Sequence, residues 1–563
     1  MPESTILDRA SAGASEVPAD WLPVSQIRAL VLQDPVLVWL EHHGAQHGFS
    51  PDKSPYDFSD FLFRKGNEFE AKWMQELAAE AITVCQEAFE VRSRHKLEET
   101  LGIIQERVPV IVKPALWWAP ERIYGVPDLI ARTSWLREKF PGLAVEDGSD
   151  HYVVLDIKFT TNLDRSDKKL DLANYGGQVR LYSYMLGQLQ GTMPEIALLV
   201  TRDRISDPLV VPIPCRSGDP LDPDLAAFRD QYLDIKLNGS TYVPWHDAVV
   251  APNLGNARDE PWHAAKVTIA RDNIPGGDPC LVCQVSPTVK EQLGARGFPT
   301  LQSLLDADPA TIPLEDCRGL GPAKSKRIRM ILQANKAGVP VRPPAAVVPP
   351  IRQHEFFVDF EYFTNVNVDF ENQWPSLEGC EMVFMVGVGW EREGGWRYTS
   401  FAAGAESHDQ EGKLFEEFLG FLNECTDGAV TDASTTALYH WTSAEVWQLR
   451  HVCDRHELVP DHPLRALPWV DSQRAFLNGP GAVPGMWDFG LKEVAKALGE
   501  SDPRYQIAWP GELGSGLRAM VMGWRAYEAD CPMETTEMNT LNEYLEADCK
   551  ALWAILRWLR AGV

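Results

Sequence analysis

The sequence predicts an α/β protein of several domains, and three observations carry that prediction. The chain has 563 residues, too many for one hydrophobic core, and at about 100–200 residues per domain it divides into roughly three or four. Hydrophobic residues make up 45% and charged residues 24%, globular values that exclude a mostly disordered, collagenous or coiled-coil chain. Strand-like and helix-like patterns alternate in two blocks on either side of VPVRPPAAVVPP, residues 339–350, where five prolines in twelve residues favour an extended connector. No run approaches the roughly 18 consecutive apolar residues of a spanning helix. The first twenty residues carry neither a basic start nor an apolar stretch, so a cytoplasmic protein with no membrane partner is expected.

Residues 1–25 read as a polar N-terminal tail. Over residues 26–265, helical patterns such as GNEFEAKWMQELAAEAITVCQEAFE and NYGGQVRLYSYMLGQLQ flank the strand-like HYVVLDIKF, predicting a mixed α/β domain. Residues 266–338 are punctuated by Gly and Pro and predict short helices. From 351 to 563, FFVDFEYF, EMVFMVGVGWE, WRYTSFA and TTALYHW predict successive strands, with helices following and ending in TLNEYLEADCKALWAILRWLR. The ten cysteines are scattered, and only Cys280 and Cys283 are closely spaced, so no disulfide framework is expected.

Charge is the main objection to a nucleic-acid partner. Lys and Arg number 53 against 80 Asp and Glu, a net of −27, and residues 351–563 alone hold 16 basic and 34 acidic residues, or −18. Such a field repels phosphate, so a nucleic acid needs local basic surface or metal ions at the site. One stretch answers this: CRGLGPAKSKRIRMILQANKAG, residues 317–338, has six basic residues and no acid. Gly319 and Gly321 suit a tight turn into a helix whose first N–H groups point outward at a phosphate, with Lys324, Lys326, Arg327 and Arg329 in reach of neighbouring phosphates.

Two constellations carry chemistry. In HYVVLDIKF the strand period of two sets Asp156 and Lys158 on one face, and a return from RIYGVPDLIAR brings Asp128 beside Asp156. Carboxylates hold a hard divalent cation, the cation acidifies water, and a lysine stabilises phosphoryl charge, the set that phosphodiester hydrolysis needs. Glu70, in the helix beginning GNEFE, adds a carboxylate; Gln178 and Tyr182 share a helix face at i and i+4. In FFVDFEYF, Asp359 and Glu361 share a strand face while Phe356 and Phe360 pack on the other. Downstream, Tyr544 and Asp548 share a helix face, and ALYHWTSAEVWQL presents Glu445 with His440 at the strand end. Four acids on three elements can seat two divalent ions for in-line displacement, with Tyr544 orienting water. Asp471 in LPWVDSQRAF competes with Glu445 for the third position. Lys492, opening the helix of GLKEVAKALG, reads as a solvated first-turn lysine.

The ordered set Gly66 and Glu70, then Gly125, Pro127 and Asp128, then Asp156 and Lys158, then Gln178 and Tyr182 resembles the RecB-like branch of the PD-(D/E)XK nucleases, with its restriction-endonuclease-like fold. The resemblance implies metal-dependent DNA cleavage, with Asp128, Asp156 and the Ile157 carbonyl as ligands, Lys158 catalytic and Glu70 supporting. The D-x-E of Asp359 and Glu361 joined to the Y-x-x-x-D of Tyr544 and Asp548 resembles the RNase H-like DEDD exonucleases of the tyrosine type. The third acid there is usually Asp, whereas Glu445 stands here. Residues 317–338 resemble a helix-hairpin-helix motif. The whole order, over about residues 26–560, resembles a family of RecB-like nucleases with an appended RNase H-like domain.

The resemblance implies a Mg²⁺- or Mn²⁺-dependent deoxyribonuclease, exonuclease in character, that acts on DNA ends or single strands; repair and defence against foreign DNA both stay open as its pathway. Some RecB-like relatives carry an iron–sulfur cluster on four cysteines; Cys280 and Cys283 supply only two, so no cluster is expected. The absence of a G-x-x-x-x-G-K-[ST] sequence leaves strand separation to a separate helicase. Two alternatives stay open: an adaptor that tethers nucleic acid with one or both sites inactive, and an exonuclease that processes RNA.

Overall fold

The computed structural model describes residues 5–77, 81–143, 150–160, 175–202, 208–215, 221–243, 252–254, 261–364, 366–367, 381–479, 481–511 and 513–561. The chain is mixed α/β throughout and forms two compact units, one of residues 1–51, 63–256 and 264–269, the other of 52–62, 257–263 and 270–563. No helix among the described residues is long and apolar enough to cross a membrane.

The first unit has two sheets. Strands β1 (Leu22–Pro23), β4 (Leu116–Trp118) and β5 (Ile123–Gly125) form a small one in the order β1-β5-β4. The larger contains β2 (Ile82–Thr83), β3 (Val110–Val112), β6 (Leu129–Arg132), β7 (Tyr152–Ile157), β8 (Ile196–Arg202) and β9 (Pro208–Pro214), ordered β2-β3-β6-β7-β8-β9. RIYGVPDLIAR is therefore not one strand. Pro127 cannot donate to a ladder, and the chain leaves β5 in one sheet and enters β6 in the other. β7 is an interior strand, hydrogen-bonded antiparallel to β6 and parallel to β8, with all six of its residues buried. Burial on both faces explains why its sequence is a nearly unbroken apolar run in which Asp156 stands alone.

Residues 5–25 are not a tail. Ile6–Ser11 form a helix capped by Thr5, Trp21, Leu22 and Val24 are buried, and Leu22 pairs with Ile123 across β1 and β5. Each apolar side chain so removed from water contributes about 1.5–3 kcal/mol, which outweighs the polar composition that suggested a loose end.

The second unit is built on one five-stranded sheet of β10 (His354–Phe363), β11 (Met382–Arg392), β12 (Gly395–Ala402), β13 (Thr436–His440) and β14 (Trp469–Asp471), in the order β12-β11-β10-β13-β14. β11 runs antiparallel to β10 and β12, whereas β13 runs parallel to both β10 and β14. Alternation along β10 sends Phe356, Val358 and Phe360 into one core and Phe357 into another on the opposite face. The long helix Thr536–Arg560, capped by the Thr535 hydroxyl on the Met538 N–H, packs on β10 and β11.

The helical segment and the Pro-rich stretch belong to this second unit, so the compact division falls near residues 256–270 and not at 339–350. Val289, Leu293, Leu304, Ile328 and Ile331 share a core with Phe357, Phe476 and Leu552. The prolines are docked as well. Val341 bridges to Ala482, the Arg342 guanidinium bonds the Trp558 carbonyl, and Arg560 donates to the carbonyls of Pro349 and Pro350. Prolines have no N–H to donate but keep their carbonyls, and Arg560 takes two of them.

Candidate functional sites

In the first unit the register Leu129↔Leu155 and Ile130↔Val154 of the β6–β7 ladder sets Asp128 across from Asp156. The Ile157 N–H donates to Asp128 Oδ2 at 2.6 Å, and Lys158 Nζ reaches Asp156 Oδ2 at 2.7 Å. Burial and then the Asp156 charge push the Asp128 carboxyl well above its ordinary range, against the pull of Lys158. For Lys158 burial works against the charge, but Asp156 and Asp128 outweigh it and the ammonium is held above its ordinary pKa. Gln178 Nε2 donates to the Tyr182 hydroxyl at 3.3 Å, and burial and Asp156 raise that phenol. Gly125 has a local reason: a Cβ there would lie 2.6 Å from the Tyr182 ring, so only glycine lets the tyrosine reach the acid pair.

Glu70, on the helix Phe58–Leu77, acts on Asp128 as a like charge and is itself bonded to Lys113 at 3.0 Å. Lys113 was missed from the sequence. It sits just past β3 with φ +47°, and its N–H donates to the Asp128 carbonyl at 2.8 Å. Nothing in the pattern VPVIVKPAL marks it. Tyr175, which no motif marks either, lies with its ring 5.7 Å from Lys158 Nζ.

The second site lies where β10, β13 and two helices meet. Asp359 and Glu361 project from β10; Glu445, in the first turn of the helix Ala444–Arg455, is hydrogen-bonded to Asp359 and lies 3.3 Å from His440 Nδ1. A carboxylate in a first helical turn is favoured by the N-terminal end of the helix dipole. Asp548, one turn beyond Tyr544 on the helix Thr536–Arg560, is buried and takes hydrogen bonds from Trp509 Nε1 at 2.7 Å, from Tyr544 and from Asp359. Burial first, then the facing acids, raise Asp359 and Glu361 well above the carboxylate range, and burial leaves Asp548 raised although Lys492 and Trp509 oppose it. Four acids so close titrate as a set.

Asp471 is elsewhere engaged: its oxygens accept from the Gln473 and Arg474 N–H groups and from the Arg474 side chain, the role of a helix cap. Lys492 is not a solvated first-turn lysine. Its Nζ donates to the Tyr544 hydroxyl at 2.7 Å, lies 4.0 Å from that ring's centroid, and its charge lowers both Glu361 and Asp548. The sequence did hold a signal, because a cation in the first turn of Leu491–Ser501 opposes the helix dipole and needs a compensating partner. No comparable signal marks Trp509.

In the basic segment Gly319 takes φ +97°, and Gly321 precedes the helix Pro322–Ala337 with no side chain capping its first N–H groups. Gly319, Gly321, Lys324 and Lys326 are exposed; Lys324 and Lys326 donate to the carbonyls of Gly319 and Asn478. Arg329 is removed from the phosphate-contacting set, because it bonds both oxygens of Glu315 and the carbonyls of Pro309 and Ile312, which fastens the helix to the loop before it. Arg327 is half-buried, and its Nε finds no hydrogen-bond partner among the described residues. Cys280 lies within a short helical turn, Pro279–Leu281, and Cys283 just past it, with the Cys283 N–H bonded to the Trp487 carbonyl.

Among the described residues no group of three or more His, Cys, Asp or Glu is spaced to hold a metal ion; the acids are instead bonded to Lys158, Tyr544, Trp509 and one another. The donor chemistry nonetheless fits a hard divalent cation, since buried carboxylates held in mutual repulsion are relieved by oxygen-seeking positive charge. No protein-family model matches the chain, and no curated protein does.

Proposed function

We propose that this chain is a Mg²⁺- or Mn²⁺-dependent nuclease that hydrolyses phosphodiester bonds of DNA at ends or in single strands, with one site in each unit. The observation that carries the reading is the second site: Asp359, Glu361, Glu445 and Asp548, brought from one strand and two helices, converge with Tyr544 and Lys492. The strand order β12-β11-β10-β13-β14, antiparallel on the β11 side of β10 and parallel on the β13 side, supports an RNase H-like assignment for that unit. The interior β6–β7 pair carrying Asp128, Asp156 and the lysine after it supports the PD-(D/E)XK assignment for the first.

Asp128, Asp156 and the Ile157 carbonyl would hold the cation in the first unit, and the four acids in the second. Held there, it supplies Lewis-acid polarisation of the phosphate and an acidified water. The remaining work belongs to side chains. Lys158, steered by Asp156, presents an ammonium to the charge that develops on the phosphate. Tyr544, its hydroxyl fixed by Lys492, orients the attacking water, and Trp509 holds Asp548 in one rotamer. Lys324, Lys326 and the uncapped helix start behind Gly319 and Gly321 supply backbone phosphate contacts that offset the acidic field.

The test is degradation of labelled single-stranded DNA, end-bearing duplex DNA and RNA, with and without divalent metal, by the wild type and by Asp156→Ala, Asp359→Ala and their combination. Metal-dependent cutting of DNA, reduced in each single variant and lost in the double, is expected. Cutting by the double variant at the wild-type rate overturns the reading, and preference for RNA replaces the substrate.

A further inference from the structure

We propose that Arg28 is a strand-binding residue of the first site, taking a phosphate adjacent to the one presented to Lys158; the inference rests on the nuclease reading for its meaning but not for its test. Arg28 lies on the short helix Ile27–Val31 that follows β1, far from the site in sequence and outside every motif that marks it. Its side chain is exposed and its guanidinium sits 5.0 Å from the centroid of the Tyr175 ring. Lys158 Nζ lies 5.7 Å from the same ring.

Two cations gathered on one aromatic ring repel each other, and the ring quadrupole offsets only part of that. Lys158 is balanced by Asp156 at 2.7 Å. Arg28 has no carboxylate partner among the described residues, in a chain whose net charge is −27. An exposed arginine with no acid partner among the described residues, held one ring away from the lysine of an acid pair, leaves positive charge that an anion completes. A nucleic-acid backbone offers such an anion beside a first one, because phosphates of one strand follow each other about 3.4 Å apart along a duplex axis, and further when a single strand is extended. The planar fork takes a phosphate through two N–H groups, and Tyr175 is the positioning residue that aims it.

The experiment measures binding, apart from cleavage. Fluorescein-labelled oligo-dT is titrated with the full chain in EDTA over a series of salt concentrations, for the wild type, Arg28→Ala, Arg28→Lys and Asp156→Ala, each checked for an unchanged melting temperature. Expected is a several-fold loss of affinity in Arg28→Ala with a salt slope shallower by about 0.7, one single-strand phosphate contact, and a slope restored in Arg28→Lys. An Arg28→Ala slope equal to wild type overturns the proposal, as does failure of the wild type to bind oligo-dT. If Arg28→Ala behaves as expected while Asp156→Ala cuts DNA normally in metal, strand binding stands and the nuclease reading of the first site falls.

Discussion

In the first unit, Asp128 and Asp156 meet because two antiparallel strands are in register, and each carboxylate layer is answered by a lysine: Lys158 on Asp156, Lys113 on Glu70. In the second unit four acids from three elements share Lys492, with Tyr544 and Trp509 as neutral partners. The first site is nearly balanced in charge and the second carries an excess of negative charge in a dry setting. The difference teaches that similar donor sets can be held at different electrostatic tension, so the two sites should answer differently to metal, pH and neutralising substitutions.

The strongest test removes one site at a time. Asp156→Ala and Asp359→Ala should each reduce the activity of their own site by about 10²-fold or more, measured as initial rates on labelled DNA, and leave the other site intact. Within the second unit, a buried carboxylate with full partners serves as a control for the strained ones. Glu411 accepts from the Val383 N–H, from Arg455 and from His456; burial alone would raise its pKa, but those bonds leave it lowered. A lowered pKa contributes stability that is present above the unfolded value and lost as pH falls through the folded one. Glu411→Gln should therefore cost about 2 kcal/mol at neutral pH and flatten the acid limb of a thermal-denaturation profile.

Lys492→Ala should slow the second site by about tenfold, near 1.4 kcal/mol of transition-state stabilisation, and lower the metal concentration needed, because Glu361 and Asp548 lose the ammonium that opposes their repulsion and a divalent cation then relieves more of it. Asp359→Asn should go the opposite way from Glu411→Gln in stability. Its raised pKa contributes stability at low pH that is lost as pH rises, so in chelator at neutral pH the neutral amide should gain about 1 kcal/mol, a few degrees in melting temperature, while activity is lost. A destabilised Asp359→Asn would remove the distinction between the sites. The smallest effect sharpens the basic segment: Lys324→Ala with Lys326→Ala should weaken DNA binding and reduce the salt slope by about one for each lysine that meets a phosphate, whereas Arg329→Ala should lower the melting temperature and leave the slope unchanged.

The sequence by itself determined the mixed α/β class, the strands of Asp156, Asp359 and Glu361, the helices of Glu70, Glu445 and Asp548, and the pairing of faces within an element, since periods of two and 3.6 are local properties of the backbone. Asp156 with Lys158, Asp359 with Glu361 and Tyr544 with Asp548 were legible for that reason. Only the tertiary structure decided that Glu445 rather than Asp471 joins Asp359, that Lys492 belongs to the acids, that Arg329 is taken up by Glu315 instead of facing phosphate, that Lys113, Tyr175 and Trp509 take part, and that the prolines of 339–350 are docked. Each of these depends on which elements pack together and on which carbonyl or carboxylate a long side chain finds there, and spacing within one element does not encode it.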